Sequence, residues 1–585
     1  MTKPRVGIYL KKYLYGIIIA FCCASTNNLW TVPAKLAPRG ILNHASNVVE
    51  SILQTLRNHP EQPLTSQQFD ILITVLEDPE SPTVKRISVA NSIAKAVTYQ
   101  PELISTVLVA INHPAYSDFT LGRLARSLNS IDDFQLDQEQ FVLLLTALRN
   151  PNNSEMTRAT LINVVRRAAK RIESGFFSKP GPFLSEKLQT LDKSYFVEAP
   201  ELKYLLFYSL LKQNVSSVNI SYLFPHQAAF HQLMAEGKKK VLVMNNIKDG
   251  LGDELVRTGT LVQALLDFNP GLKIVLYTNR SFLYNHPRVE VRNIHGYKPP
   301  ENERFDMVIH YFDEQQHYDL KSDYLFRSQY LKKYQPHIYI TADKANDRFV
   351  YEQVSIGSIS VFMPKYEGNV YIPVFRLCAE LGLPFRYGTQ IPVAGSLFTG
   401  AKDLTAELYW RKLEQANSGK RQVIIFNGFG GEREDKGYTR DESLAFKEAL
   451  QDLITKGFFI IVLPNHQPWG TEEITQNNIH LLSTEEQKHV FIAPSPLQEP
   501  QLHKYLLSKA DIVVTVEGGL MHLAYHMGKP LITLQRAHSG KFEQWFPAGA
   551  DASQRTLETN LSIGENVQHL LREQPMQEEQ LTRSL

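Results

Sequence analysis

The sequence predicts an α/β protein whose two halves each alternate strand and helix, with an all-α domain of helical repeats in front of them. Three observations carry this. Ala510 to Pro530 reads as strand, glycine turn, helix and the entry to another strand. Val241 to Tyr277 has the same order. Between residues 43 and 175 a proline-marked helix pair occurs three times.

At 585 residues the chain is long enough for three or four domains, at roughly 150 residues each. A hydrophobic content of 43% is ample for packed cores, and a net charge of +2 gives no reason to expect a nucleic-acid partner. Cys22, Cys23 and Cys378 are the only cysteines. Three thiols exclude a disulfide framework or a zinc ribbon and fit a reducing compartment. Lys3, Arg5, Lys11 and Lys12 precede an apolar stretch from Tyr13 to Ala24. That stretch is too short to span a bilayer, and it fits a signal-peptide core, a surface anchor or a buried helix.

The repeats come next. Thr74 to Pro79 returns as Val109 to Pro114 and again as Thr146 to Pro151, with the prolines 35 and 37 residues apart. Each copy ends one apolar helix and enters another: Val84 to Val97, Phe119 to Leu128 and Glu155 to Ile172. Helix pairs at this period predict an α-solenoid, and the helix–turn–helix pattern loosely resembles HEAT-like repeats. Such stacks offer a face to a protein partner or brace a neighbouring domain. The divisions expected are an N-terminal segment and linker (1–40), repeats (41–175), a helical linker (176–237), two α/β halves (238–395 and 396–560) and a polar tail (561–585).

The first α/β half opens with the buried-strand run Val241 to Met244, a loop through Gly250-Leu251-Gly252-Asp253-Glu254, and a helix to Phe268. Leu255, Thr258, Leu261, Val262 and Leu265 form its inward face. Lys273 to Tyr277 is the next strand, which completes a βαβ unit. G-x-G-x-x-G and the Walker A pattern are both absent, so this is neither a dinucleotide fingerprint nor a P-loop. Phe305 to Tyr311 is a further strand, with His310, Asp313 and Glu314 at the end where α/β sheets place ligands. Tyr371 to Leu381 is a helix, and Gly388 to Lys402 a linker.

The second half begins with the strand Gln422 to Phe426, then a glycine loop from Asn427 to Gly431 that runs on through Arg433 and Lys436. Ser443 to Lys456 is a helix, Phe458 to Pro464 a strand, Phe491-Ile492 a short strand and Leu502 to Ser508 a helix. The β-branched run Ile512 to Val516 follows and is broken by Glu517-Gly518-Gly519. Leu520 to Met527 is helical, and Gly528-Lys529-Pro530 leads into the strand Leu531 to Leu534. The glycine pair predicts a tight turn with positive φ. A turn of this kind presents backbone N–H groups at a helix N-terminus, where an anion can bind.

Two of these stretches together resemble the heptosyltransferase-like glycosyltransferases. In that family a Gly-Asp pair follows the first strand, matched here by Gly252-Asp253. Its donor motif has an acidic residue, a glycine turn, a histidine, an alanine and Gly-x-Pro, matched by Glu517-Gly518-Gly519, His522, Ala524 and Gly528-Lys529-Pro530. The family's turn usually reads Asp-Thr-Gly or Asp-Ser-Gly, so Glu517-Gly518 departs from it. The resemblance covers roughly residues 238–550. It implies a GT-B fold, in which two Rossmann-like halves face each other across a cleft, the first serving the acceptor and the second the donor.

It also implies the chemistry: inverting transfer of a sugar from a nucleotide diphosphate sugar donor to a glycan or glycolipid acceptor of the cell envelope. Asp253 is the expected catalytic base, with Glu254 next, because an acceptor hydroxyl needs a carboxylate within reach. Gly518, Gly519 and Lys436 are the expected partners of the donor phosphates, with Arg433 as substitute for the lysine, and Gly252 of the first motif is an expected substrate-binding residue. Glu517 would orient sugar or ribose hydroxyls, and His522 would bond a phosphate or the loop backbone. Arg536 and His538 lie near the family's last phosphate- or sugar-proximal loop. Asp-x-Asp does not occur in this region, so neither a metal nor another cofactor is expected. The protein would be cytoplasmic, touching the inner membrane surface rather than crossing it. Two other readings compete: a nucleotide-sugar 2-epimerase, and a non-catalytic scaffold with a decayed transferase domain.

Overall fold

The structure, a computed structural model, describes residues 39–100, 102–131, 136–150, 153–175, 183–212, 220, 222–245, 251–293, 303–312, 334–345, 348–356, 359–361, 369–385, 397–398, 404–417, 419, 421–428, 437–438, 442–464, 476–477, 479–494, 500–535, 546, 552–556 and 562–572. The chain divides into two compact units. One is Met1–Ile172 with Phe183–Leu202; the other is Glu173–Pro182 with Lys203–Leu585.

The first unit is helical: α1 (Arg39–Asn58), α2 (Ser66–Glu77), α3 (Thr83–Tyr99), α4 (Leu103–Ile111), α5 (Asp118–Asn129), α6 (Gln138–Leu148), most of α7 (Glu155–Gly175), α8 (Phe183–Gln189) and α9 (Lys193–Glu198). Its burial repeats in the register of the prolines. Phe69, Leu72 and Leu76 are buried in α2; Ile104, Val107 and Ile111 hold the same places in α4, and Phe141, Leu144 and Leu148 in α6. The second helices of the pairs repeat likewise, with Val89 and Ile93, Leu124 and Leu128, Leu161 and Val165 all buried. An i, i+3, i+7 stripe gives each helix one apolar face, and stacking successive pairs covers it. Side chains also fasten one repeat to the next. The Ser117 backbone N–H and hydroxyl both donate to the Glu77 carboxylate, at 2.9 and 3.0 Å. The Ser154 N–H donates to Asp118 Oδ1 at 2.8 Å.

In the second unit most of α10 (Glu201–Lys212) and α11 (Pro225–Met234) lead into two mainly parallel sheets. The first half holds β1 (Lys240–Asn245), α12 (Leu251–Glu254), a π-turn (Leu255–Gly259), α13 (Thr260–Phe268), β2 (Lys273–Thr278), β3 (Val289–Asn293), β4 (Met307–Phe312), β5 (Ile338–Ala345), β6 (Arg348–Ile356), β7 (Ile359–Val361) and α14 (Ile372–Leu381). Its sheet has the order β3-β2-β1-β4-β5-β6-β7, with β6 and β7 antiparallel to their neighbours. The second half holds α15 (Leu404–Ala416), β8 (Val423–Asn427), α16 (Ser443–Thr455), β9 (Phe459–Val462), α17 (Thr484–Gln487), β10 (Val490–Ile492), α18 (Pro500–Lys509), β11 (Ile512–Val516), α19 (Gly519–His526), β12 (Leu531–Gln535) and β13 (Ala552–Thr556). Its six strands run parallel in the order β10-β9-β8-β11-β12-β13.

Both halves are Rossmann-like, and the expected fold class of two α/β halves with an all-α region before them is the one observed. Strands covered on both faces read as continuous apolar runs, which is why β1, β8 and β11 stood out in the sequence. The second core gathers Ile424, Phe426, Phe446, Leu450, Ile460, Ile512, Val514 and Ile532. In each sheet the strand order reverses once, between β1 and β4 and between β8 and β11. The crevice beyond the strand ends at such a reversal is where open α/β sheets bind ligands. β1, β8 and β11 all end there, and the Glu517–Gly519 turn leaves the last of them. No described helix is long and apolar enough to cross a membrane, and residues 13–24 lie outside the described part.

Candidate active site

The chain leaves the buried strand β11 at Glu517, passes through Gly518 and starts α19 at Gly519. Gly518 is extended (φ 161°, ψ −168°), and a side-chain carbon added to it would meet nothing within 4 Å. Neither glycine of the pair has the left-handed φ that the sequence suggested. Packing explains Gly519 instead. A Cβ there would lie 2.6 Å from the Cβ of Leu251. Gly252 is confined in the same way: its Cβ would lie 2.7 Å from His522 Cδ2 and 3.6 Å from the Gly519 Cα. Bare backbone at both positions lets the starts of α12 and α19 touch.

Two helix N-termini therefore converge from the two halves of the unit. Each brings N–H groups without intrahelical partners and the positive end of a helix dipole. Glu517 and Asp253, both half-exposed, stand at this junction as the neighbours of Gly518 and Gly252. The structure thus brings Gly252, Asp253, Glu517, Gly518, Gly519 and His522 together. Lys436, Arg433, Arg536, His538, Asp313 and Glu314 lie outside the described residues. His310 is fully buried within β4.

His522 is 2% exposed. Its Nδ1 shares a hydrogen bond with the Tyr371 hydroxyl, 2.9 Å away, and its backbone N–H donates to the Gly518 carbonyl at 3.3 Å. Burial, with the neighbouring Tyr525, raises the Tyr371 pKa well above the phenol range, so this hydroxyl keeps its proton. One turn on, His526 donates to the Leu255 carbonyl at the start of the π-turn and packs on Phe398, ring centres 5.0 Å apart. Burial pulls its pKa down to about 3, which keeps the imidazole neutral. Lys504 of α18 makes a further tie between the halves, donating to the Leu283 carbonyl at 2.6 Å; burial lowers its pKa to about 8.

The π-turn turns Arg257 inward. Its Nη2 donates to Asn245 Oδ1 at the end of β1 (3.1 Å), and its guanidinium lies 4.7 Å from the Tyr311 ring centre at the end of β4. The two strand ends that flank the reversal are thereby tied together. Glu254 is fully buried and accepts from Thr278 Oγ1 (2.5 Å), Tyr284 Oη (2.8 Å) and Arg280 Nη1 (3.1 Å). A carboxylate enclosed by three donors holds the fold and is poorly placed to take a proton from an incoming hydroxyl. Asp253 is the more accessible of the pair. The sequence reading missed Arg257, Tyr371 and Leu251. Arg257 had a signal, since it lies four residues before Leu261 on an otherwise apolar face. Tyr371 had none, because its partner is 151 positions away.

Residues 400–570 match the family described as glycosyltransferase family 9 (heptosyltransferase). The chain carries a family 9 glycosyltransferase domain. Solved structures with partial similarity include the family 9 glycosyltransferase of Veillonella parvula, at 15% identity and TM-score 0.38, with 57% of this chain and 90% of that one covered. The Escherichia coli ADP-heptose lipopolysaccharide heptosyltransferase II shares 16% identity, TM-score 0.37, over 57% and 99%. The E. coli heptosyltransferase WaaC bound to an ADP-heptose analogue shares 16%, TM-score 0.36, over 57% and 99%. No curated protein matches the chain. Within the family 9 domain lie β11, the Glu517–Gly519 turn and α19, while Gly252 and Asp253 belong to the half that packs against it.

Proposed function

We propose that this protein is an inverting, metal-independent glycosyltransferase that moves a sugar from a nucleotide diphosphate sugar to a glycan or glycolipid of the cell envelope. The observation that carries the reading is the contact of Gly252 with Gly519, which sets two helix starts side by side at the strand ends. A departing diphosphate gathers negative charge as the sugar leaves, and converging N–H groups and helix dipoles stabilise it with little reorganisation. Lys436 would add a cation to that site. Asp253, next to Gly252 and half-exposed, would take the acceptor proton, and Glu517 would orient donor hydroxyls. His522 serves best as the buried tie to Tyr371, holding the donor turn against the first half. The HEAT-like repeats stand outside this chemistry. The reaction would take place in the cytoplasm or at the cytoplasmic face of the inner membrane.

The test is incubation of the purified chain with a panel of nucleotide diphosphate sugars, without added metal. The family description puts nucleotide-linked heptoses first in that panel. Release of the nucleoside diphosphate, with NMR showing an inverted anomeric centre in the product, supports the proposal. A donor at a hundredfold excess over its dissociation constant should also stabilise the fold by about 2.7 kcal/mol. No turnover and no stabilisation with any donor would leave the reading without support.

A further inference from the structure

We propose that the face of the repeat unit carrying Val84, Phe119 and Met156 docks an acidic, extended protein segment. These are the second residues of α3, α5 and α7, so the repeat register sets them in a row across three helices. Val84 is 80% and Met156 65% exposed, and with Phe119 between them they form an aligned apolar row instead of scattered single side chains. Arginines flank the row. The Arg86 guanidinium lies 3.8 Å from the Phe119 ring centre and that of Arg123 lies 5.2 Å away. Arg126 Nη2 is 3.0 Å from Met156 Sδ. No described carboxylate comes within ion-pair distance of these three side chains. Their crowding shows in Arg123, whose pKa is lowered by burial and then by Arg126 and Arg86.

Three carboxylates stand close by, and that of Glu77 is engaged by the Ser117 N–H and hydroxyl. That of Asp118 is engaged by the Ser154 N–H; Glu155 is exposed and marks one end of the row. Three guanidinium groups without an ion-pair partner among the described residues call for an acidic partner, and the apolar row for one that also carries aromatic or aliphatic side chains. The recessed position of Arg86 and Arg123 favours a chain over a membrane. Arg86 and Arg123 are half-buried against Phe119, and Arg86 spends Nε and Nη2 on the Leu76 carbonyl. A flat plane of headgroups meets protruding cations, whereas an extended peptide can follow a row between helices. Packed helices lie about 8–10 Å apart, and a chain in the extended polyproline-II form advances about 3.1 Å per residue with three residues per turn, so residues three apart share a face. Acidic residues about three apart would therefore meet successive cationic sites.

The test uses the full chain and a fluorescein-labelled peptide of repeating Asp-Ser-Phe, with an Asn-Ser-Phe peptide as control. Phosphatidylcholine vesicles containing phosphatidylglycerol provide the membrane arm. The acidic peptide should bind by fluorescence anisotropy, weaken with rising salt, and lose about tenfold or more in affinity in the Arg123→Gln/Arg126→Gln variant. Those two arginines make no backbone bond, so the variant should keep its fold; Val84→Asp, at an exposed site, is the second probe and should weaken binding too. Absence of peptide binding, equal binding of the control, or affinity unchanged in both variants would overturn the proposal. So would vesicle binding that depends on the same arginines while the peptide fails to bind.

Discussion

Tyr371 Oη and His522 Nδ1 lie 2.9 Å apart, joining the start of α14 in the first half to the helix behind the Glu517–Gly519 turn in the second. Both side chains are buried, so the bond is made out of water's reach. A buried hydrogen bond contributes about 1 kcal/mol net. Tyr371→Phe should cost about that much and lower the thermal midpoint by a few degrees, read in a melt of the full chain. Tyr371→Ala, which also opens a cavity among Phe375, Tyr525 and His526, should cost about 3–5 kcal/mol. A Tyr371→Phe melt equal to the parent's would show that the hydroxyl contributes nothing to the junction.

The glycine contacts predict a rescue. Gly519→Ala places a methyl group 2.6 Å from the Leu251 Cβ, so the helices must separate. Overpacking of this kind costs about 1–3 kcal/mol. Leu251→Gly, which takes away the Cβ itself, removes packing on its own as well. The double variant should be more stable than the sum of the two single changes allows, by about 1 kcal/mol in a double-mutant cycle. Gly518→Ala is the control: its backbone is extended and the space beside it open, so stability should change by less than about 0.5 kcal/mol. Strict additivity between Leu251 and Gly519 would mean that the two helix starts are not in contact in solution.

Much of this architecture was legible because parallel strands are short, apolar and bounded by glycine. Ile512–Val516 matches its sequence reading residue for residue, and β1, β2, β8 and β12 differ only at their ends. The helix pairs were legible from the prolines, whose spacing the buried residues repeat. Less was legible in β5, β6 and β7, where polar residues such as Asp343, Lys344 and Gln353 interrupt the apolar run. At the site, residue types and their order pointed to Gly252, Gly518 and Gly519, but the reason for the glycines was misread. The sequence suggests a turn with positive φ, while the structure shows a close approach between two segments more than 250 positions apart. Glu254 was misjudged on similar grounds, since its three donors come from β2 and the segment after it.

Asp253 and Glu254, adjacent in sequence, should separate cleanly in mutant kinetics. Asp253 is half-exposed at the junction, and Asp253→Asn removes a base while keeping the shape. Transfer should fall by about a hundredfold or more in kcat, with the thermal midpoint close to that of the parent. Glu254→Ala removes the ion-pair partner that Arg280 has in Glu254 and the acceptor of two hydroxyls. Breaking a buried pair in this way costs about 3–5 kcal/mol, so the loss should appear first as a lower midpoint. A Glu254 variant that melts normally but does not turn over would make Glu254 the base after all.

His526 sets an acid limit on the junction between the halves. In the unfolded chain its imidazole titrates near 6.5; in the fold, burial moves the pKa to about 3, although the bond to the Leu255 carbonyl partly opposes the shift. Below pH 6.5 the unfolded state therefore binds a proton that the folded state refuses, so stability falls with falling pH. The contribution is intact above pH 6.5 and is lost progressively down to about pH 3, at a slope of up to ~1.4 kcal/mol per pH unit. Burial lowers the pKa of His503 as well and adds to the same trend. The diagnostic is therefore a difference in slope. His526→Gln keeps a donor for Leu255 and removes the titration. Its stability, measured by urea unfolding between pH 6.5 and 4.5, should depend on pH less steeply than the parent's by close to one proton. Parallel curves for the two proteins would show that His526 is protonated in the fold, or exposed before the chain unfolds.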